Sequence, residues 1–282
     1  PSLIENKNTT DIQTVMDQVP GVNITDGQAN IRGGSGWSYG AGTRVLVMVD
    51  DMPLISGDAG QAQWKLIATE NINQVEVIKG AASALYGSSA LNGIINIRTS
   101  FPSQKDIQKS KLPGFTKINM HFGLIDKPQR IGLHWNGEKR RAFKGLEFLQ
   151  SMKLDNLDLS LGGNIFSDDG YRMGEITDRK RFNLNSMYKD KRIKGLSYGI
   201  NANFLFQETG SVLIWQNIDS VYVPLGGSRN DVTLTSGDTY NIDPYISYIK
   251  GNNRHSFRTR FLKVINDNST KGADAGQDNK SD

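Results

Sequence analysis

From about residue 115 onward, apolar and polar residues alternate with a period of two through run after run, the pattern of half-buried β-strands. Ile118, Met120, Phe122 and Leu124 share one face, and Lys117, Asn119 and His121 share the other. Leu146, Phe148, Met152 and Leu154 oppose Glu147, Ser151 and Lys153, and Leu157, Leu159, Leu161 and Ile165 oppose Asp158, Ser160 and Asn164. Phe182, Leu184 and Tyr188 oppose Asn183, Asn185 and Lys189. The clearest run sets Leu196, Tyr198, Ile200, Ala202, Phe204 and Phe206 against Ser197, Gly199, Asn201, Asn203 and Gln207. Weaker alternation over 240–249 and 255–265 brings the expected number of strands to about seven.

The connections narrow the architecture, because their lengths alternate. Asp155-Asn156, 189–195 and 251–254 are short, whereas 126–142, 168–180, 208–238 and the polar stretch after Ile265 are long. Transmembrane β-barrels carry tight turns at one rim and long loops at the other. A soluble β-sandwich also alternates. Here, however, the polar face is rich in Asn, Ser, Gly and Lys, as a wet lumen would be, and Tyr171, Trp215 and Tyr240 fall near expected strand ends, as in an interfacial girdle. No apolar run approaches the ~18 residues of a membrane helix. A mean hydropathy of -0.46 does not speak against a barrel, whose strands hide their apolar half from any average. So few strands cannot close a wide pore, and an open sheet edge in lipid leaves backbone groups unpaired. The expectation is the N-terminal part of a longer barrel that does not transport on its own.

The first hundred residues follow other rules. In 83–99, SALYGSSALNGIINIRT, Gly87 and Asn92-Gly93 supply turns that need positive φ, and Ile94, Ile95 and Ile97 form a strand. A preceding strand, Val75-Glu76-Val77-Ile78, is closed by Gly80, giving strand, helical turn, tight turn, strand in about thirty residues. Taken alone, this unit fits any α+β core.

Taken in order, four segments resemble the plug domain of TonB-dependent outer-membrane receptors: VMDQVPGVNI at 15–24, IRGG at 31–34, VLVMVDDMPL at 45–54 and INQVEVIKGAASALYGSSALNGIINIRTS at 72–100. The motif positions are Gly33, Gly34, Asp50, Glu76, Gly80, Leu85, Tyr86, Gly87, Asn92 and Gly93. The resemblance, of a Bacteroidetes-like kind, implies an α+β plug over 1–100, a linker over 101–114 and the first antiparallel transmembrane strands of a barrel of about 22 strands over 115–282. It implies TonB-coupled uptake of a scarce nutrient across the outer membrane, with the plug on the periplasmic side, long loops outside, and contact with outer-membrane lipid. TonB would bind a segment not identifiable before Pro1, and a surface lipoprotein lid is a further partner of such receptors. Gly80 stands where glycan importers typically carry an acidic residue, which favours a siderophore, haem, cobalamin or other metal chelate. A glycan importer and a non-transporting adhesion or signalling protein remain as alternatives.

By the same resemblance, Arg32 and Lys79 form a lock that pairs with barrel carboxylates, Lys79 replacing the usual Arg and with it the bidentate geometry. Taken as residues alone, they are exposed strand-end cations worth under ~1 kcal/mol. Ligand contacts are expected from loop tips, Trp37 and Tyr39 in one and Asp58 and Gln61 in the other. The two aromatics either stack on a ligand or pack against the wall.

Other chemistries find little support. The chain has no Cys, so it offers neither a disulfide framework nor a thiolate metal site. Its net charge of +4 is spread over a mixed surface, and the run Lys139-Arg140-Arg141 reads as a solvated loop rather than a nucleic-acid face. No P-loop, dinucleotide fingerprint or G-x-S-x-G elbow is present, and His121, His134 and His255 lack metal-site spacing. Asp50-Asp51 reads as a turn rather than an acid-base pair, and the Asp-rich 267–278 lacks EF-hand spacing and reads as a solvated loop. No enzyme activity, cofactor or metal is expected.

Overall fold

The computed structural model describes residues 11–25, 27–34, 43–57, 60–102, 114–137, 139–212, 214–227, 232–270, 273–274 and 278–281. The N-terminal unit begins with helix α1 (Ile12–Met16), whose first turn is capped by the Asp11 carboxylate accepting from the Gln13 N–H at 3.0 Å. A small hairpin, β1 (Val22–Thr25) with β2 (Gln28–Ile31), follows.

Four strands then form a sheet in the order β4-β3-β6-β5: β3 is Val45–Val49, β4 Met52–Pro53, β5 Ile72–Lys79 and β6 Gly93–Thr99. The two central strands run parallel, and their buried stretch, Val45 to Met48 in β3 and 93–97 in β6, is apolar but for Asn96, as strands covered on both faces tend to be. Between β5 and β6 lie the expected helical turn, α2 (Ser83–Tyr86), and a 3-10 turn at Ser88–Ala90. Two more 3-10 turns, Trp64–Leu66 and Thr69–Asn71, lead into β5.

The rest of the chain forms one antiparallel sheet. Its strands are β7 (Gly114–Ile125), β8 (Arg141–Leu154), β9 (Leu157–Asp168), β10 (Thr177–Lys189), β11 (Leu196–Ser211) and β12 (Thr233–Lys250). After them come β13 (Asn253–Arg258) and β14 (Phe261–Thr270); strands pair with their neighbours in sequence order up to β12, and β13 and β14 both pair with β12. The register of β13 on β12 continues unbroken into β14, since Tyr245 pairs with Arg258 and Ile242 with Phe261. They are one strand interrupted opposite Pro244, which accepts from the Thr259 N–H at 3.1 Å but has no N–H to return.

Three expectations need correction. The 208–238 link is shorter, because β11 reaches Ser211 and β12 starts at Thr233; the Thr-, Ser- and Gly-rich ends pair without strong alternation. Tyr240 consequently lies within β12, edge-on to Phe204 and Phe206, and not at a strand end. The stretch after Ile265 is not all loop, since β14 runs to Thr270 and β16 (Asn279–Ser281) pairs back on it, with β15 (Ala273–Asp274) beside.

Burial on this sheet is inverted relative to a water-soluble protein. Met120 and Phe122 are 80% and 73% exposed, and Phe148, Ile165, Phe182, Ile200 and Ile246 project outward with them. The opposite face buries Glu147, Ser160, Asn164, Arg181, Asn183, Asn185, Asn201 and Asn241 against the N-terminal unit. A sandwich would bury its apolar faces; a membrane wall turns them to lipid and keeps polar groups inside. Among the described residues, no helix is long and apolar enough to cross a membrane.

Candidate functional site

The residues with most at stake line the seam between the N-terminal unit and the polar face of the wall. Its centre is the pair of 3-10 turns at 64–71. Wall residue Arg181, 1% exposed, donates through Nη1 to the carbonyls of Lys65 and Ile67, and through Nη2 to the buried Glu70 carboxylate. With its amide turned to donate, Asn183 reaches the other Glu70 oxygen at 2.8 Å. Burial pushes the Glu70 carboxyl above its ordinary range, Arg181 pulls it down, and the neighbouring Glu147 charge pushes it up again.

Contacts on either side extend this joint. Asn71 Nδ2 donates to Asn185 Oδ1 at 2.8 Å, and Thr69 Oγ1 to Glu147 Oε1 at 3.3 Å. Glu147 also accepts from Asn164, which in turn accepts from Arg179 Nε at 3.1 Å. On the apolar side, Leu205 of the wall joins the core of Ile12, Trp64, Leu66, Ile67 and Ile95.

A second joint forms at the tip of the β3–β4 hairpin. Asp50 (φ 51) and Asp51 (φ 69) make a two-residue turn with both φ positive, the geometry that matches strand twist. The Asp50 carboxylate accepts from Thr99 N–H at 3.0 Å, Thr99 Oγ1 at 2.7 Å and, from the wall, Asn201 Nδ2 at 3.1 Å. Arg258 donates to the Asp50 carbonyl at 3.1 Å. Arg260, held by Asp243, donates to the carbonyls of Met52 and Pro53. Asp50 thus works as a turn, as expected, and also ties the turn to the wall.

The motif residues converge elsewhere in the unit. The Arg32 N–H (φ 53) donates to the Gly21 carbonyl at 2.8 Å and Lys79 Nζ to the Pro20 carbonyl, so both cations flank one turn. A Cβ on Gly34 would come within 3.1 Å of the Asn92 amide, and one on Gly93 (φ 141) would lie 2.3 Å from the Ile78 carbonyl oxygen. Gly33 closes the turn after β2 at φ 69, and Gly80 (φ 132) and Gly87 (φ 85) bracket α2, from which Leu85 and Tyr86 project outward. Glu76 lies beside Arg98, which pairs with Asp51 at 2.6 Å.

Gln61 is exposed on a loop closed by Ser56, whose N–H donates to the Gln61 carbonyl at 2.8 Å. Trp37, Tyr39 and Asp58 lie outside the described residues. Sequence reading placed Asn183, Asn185 and Asn201 on the polar face but did not single out Arg181, Glu70 or Arg260, whose only signal was a cation or acid at a lumen-facing or turn position.

Three long loops meet at the rim of the wall. They enclose a cavity of about 230 Å³ lined by His134, Trp135, Lys139, Arg141, Tyr171 and Tyr222. Trp135 Nε1 donates to the Tyr171 carbonyl at 3.0 Å, Arg141 lies 5.1 Å from the Trp135 ring centre, and Tyr171 meets Tyr222 edge-on at 5.5 Å. Arg141 is therefore not a solvated loop residue: it starts β8, donates to the Gly170 carbonyl at 3.1 Å, and shares the lumen-facing register of Glu147. Among the described residues, no cluster of three or more His, Cys, Asp or Glu side chains is arranged to hold a metal.

A plug-like unit fastened to the polar face of an outwardly apolar wall has counterparts among known proteins, and residues 1–94 match the family model for the TonB-dependent receptor plug domain. Over that third of its length the chain carries the features of this plug. A relative, the vitamin B12 transporter BtuB of Vibrio vulnificus, is 35% identical over 182 residues, covering 61% of this chain and 25% of that protein. The vitamin B12 transporter BtuB of Photobacterium profundum is 33% identical over 100 residues, 32% of this chain and 15% of that one. The chain thus spans a quarter or less of these relatives.

Among solved structures, the siderophore receptor PirA of Pseudomonas aeruginosa superposes with a TM-score of 0.63 at 18% identity, covering 94% of this chain and 39% of that one. The ferric-catecholate import receptor Fiu of E. coli K12 gives 0.61 at 17%, over 95% and 38%. These two likenesses carry the fold: a plug followed by the leading antiparallel strands of a receptor barrel.

Proposed function

We propose that this chain is the plug and leading wall of an outer-membrane receptor for TonB-coupled uptake of a scarce metal chelate, such as a siderophore, haem or cobalamin. The observation that carries the reading is the inverted wall with a folded unit held against its polar face: a lipid-facing barrel whose lumen is stoppered needs an energy source to open. The inner-membrane TonB complex would supply it, pulling on a segment N-terminal to the plug.

The plug then faces the periplasm and the 126–140, 169–176 and 212–232 loops face outside. The rim cavity, aromatic and cationic, supports small-molecule capture there, alongside Gln61 and the proposed contacts Trp37, Tyr39 and Asp58. Arg32 and Lys79 are retained as a proposed lock toward wall strands other than those described above. The plug over 1–100, linker over 101–114 and wall over 115–282 are the proposed domains, and the proposed role is transport rather than catalysis.

The test is uptake of labelled chelates by cells carrying the full-length receptor, with and without a protonophore. Energy-dependent accumulation of ferric enterobactin or cyanocobalamin is expected; uptake of oligosaccharide alone overturns the metal-chelate reading, and binding without uptake overturns transport. Trp135→Ala is expected to weaken binding at the rim by about tenfold, the loss of one stacking contact of ~1–1.5 kcal/mol. Arg32→Ala tests the lock through plug retention.

A further inference from the structure

We infer that Arg181 and Glu70 are positioning residues that keep the 64–71 turn fixed to the wall throughout gating, so that the plug rearranges around this anchor rather than leaving as one body. The inference rests on the gated-import reading above.

Arg181 commits its guanidinium to three acceptors, all on the plug: the Lys65 and Ile67 carbonyls and the Glu70 carboxylate. Two of these are main chain, so the joint reads the shape of the turn as well as its charge. Both side chains of the pair are buried to about the same extent, 1% exposed each, and separating them inside the seam would strand two uncompensated charges. The polarity is also the reverse of the lock proposed for Arg32 and Lys79: here the wall supplies the cation and the plug the acid.

The turn is held on its other sides too. Asn71 bonds Asn185 of the wall at 2.8 Å, and its Oδ1 accepts from Ser100 Oγ at 2.6 Å, where the chain leaves β6 on its way to the wall. The Ser100 N–H also donates to the Asn71 carbonyl at 3.0 Å. One point thus joins the start of β5, the exit from β6 and the face of β10. Leu205 adds apolar contact with the core that includes Trp64, Leu66 and Ile67. A segment tied by buried charge, amide pairs and core packing at once is the part of the plug that a pull moves last.

The experiment uses the full-length receptor in cells, with surface amounts matched. In one arm, Asn71→Cys and Asn185→Cys are joined by a short bis-thiosulfonate linker, and uptake of labelled ferric enterobactin and cyanocobalamin is compared with the same variant unlinked. Uptake retained after tethering is expected. Loss of uptake on tethering alone overturns the anchor and leaves the import reading standing, whereas uptake of neither probe by the unlinked receptor overturns the import reading on which the anchor rests.

In the second arm, vancomycin entry reports an unseated plug. Removing one partner of such a pair shifts the seating equilibrium by about 30-fold or more, so Arg181→Met and Glu70→Ala are expected to admit vancomycin, and the tether to restore the block in Arg181→Met. Arg181→Lys should not rescue, because an ammonium cannot reproduce the planar fork across three acceptors. Unchanged vancomycin exclusion in both variants, or full rescue by Lys, overturns the positioning role.

Discussion

Phe182 and Arg181 are neighbours on β10, the first 45% exposed and the second 1%, and replacing Phe182 by Arg separates a membrane wall from a soluble sheet. Phe182 lies five residues from the Thr177 end of its strand and seven from the Lys189 end. At about 3.3 Å per residue and a tilt of about 40°, those are about 13 and 18 Å along the membrane normal, close to the middle of an apolar band about 25 Å tall. An arginine on the lipid face at that depth costs about 2–4 kcal/mol, or roughly 30- to 700-fold in the folding equilibrium.

Two outward cations already present, Lys144 and Lys180, obey the same depth rule. Lys144 and Lys180 sit nearer the long-loop ends of β8 and β10, where long side chains can reach the interface. The assay is reversible folding of the full-length receptor into phosphatidylcholine vesicles under denaturant, Phe182→Arg against the parent. A loss under about 0.5 kcal/mol, the ordinary scatter of exposed substitutions, or a gain, would mean that this face meets water, and the inverted-wall argument would fall.

Gly93→Ala should destabilise the plug by about 1–3 kcal/mol from its φ of 141 alone, with more from the clash at the Ile78 carbonyl, read as faster protease cleavage of the plug. Acid should loosen α1. Burial pushes the Asp11 carboxyl up, but the Lys65 charge and hydrogen bond and the Gln13 N–H outweigh it and hold it below the ordinary range. A carboxyl lowered in the folded state stabilises above its ordinary pKa and loses that contribution as pH falls through the lowered value. Hydrogen-exchange protection across Ile12–Met16, taken relative to the intrinsic rate at each pH, should therefore fall on acidification in the parent, and Asp11→Asn should flatten that dependence; an equal slope in both would sink the assignment.

Much of this architecture was legible as spacing. Period-two alternation located the wall strands from β7 to the β13–β14 pair, because a sheet with different environments on its two faces must alternate, whichever face is buried. The turn chemistry of Gly80, Gly87 and Gly93 placed α2 and β6, since few residues other than glycine accept those φ values, whereas Asn92, read as part of the same turn, does not take up positive φ. Where alternation faded, in the polar ends of β11 and β12, pairing with a neighbour set the strand length and the sequence pattern misled. Arg141 was misread for a related reason: a cation at a strand end looks solvated until Trp135 and the Gly170 carbonyl are brought to it.

Residue order alone was enough for the long wall strands and the β5–α2–β6 unit, the split into an α+β unit and a strand-rich wall, and the family resemblance carried by ordered motifs. The Asn, Ser, Gly and Lys content of the polar face pointed to it as the inner one, and the docked fold decided it, because alternation by itself is symmetric between inside-out and outside-in. Docking also brought Glu70 to Arg181 and Asp50 to Asn201, pairs separated by 111 and 151 positions. Local physics fixes where a side chain points along its own strand; which partner it finds across a seam depends on how two independently patterned surfaces meet.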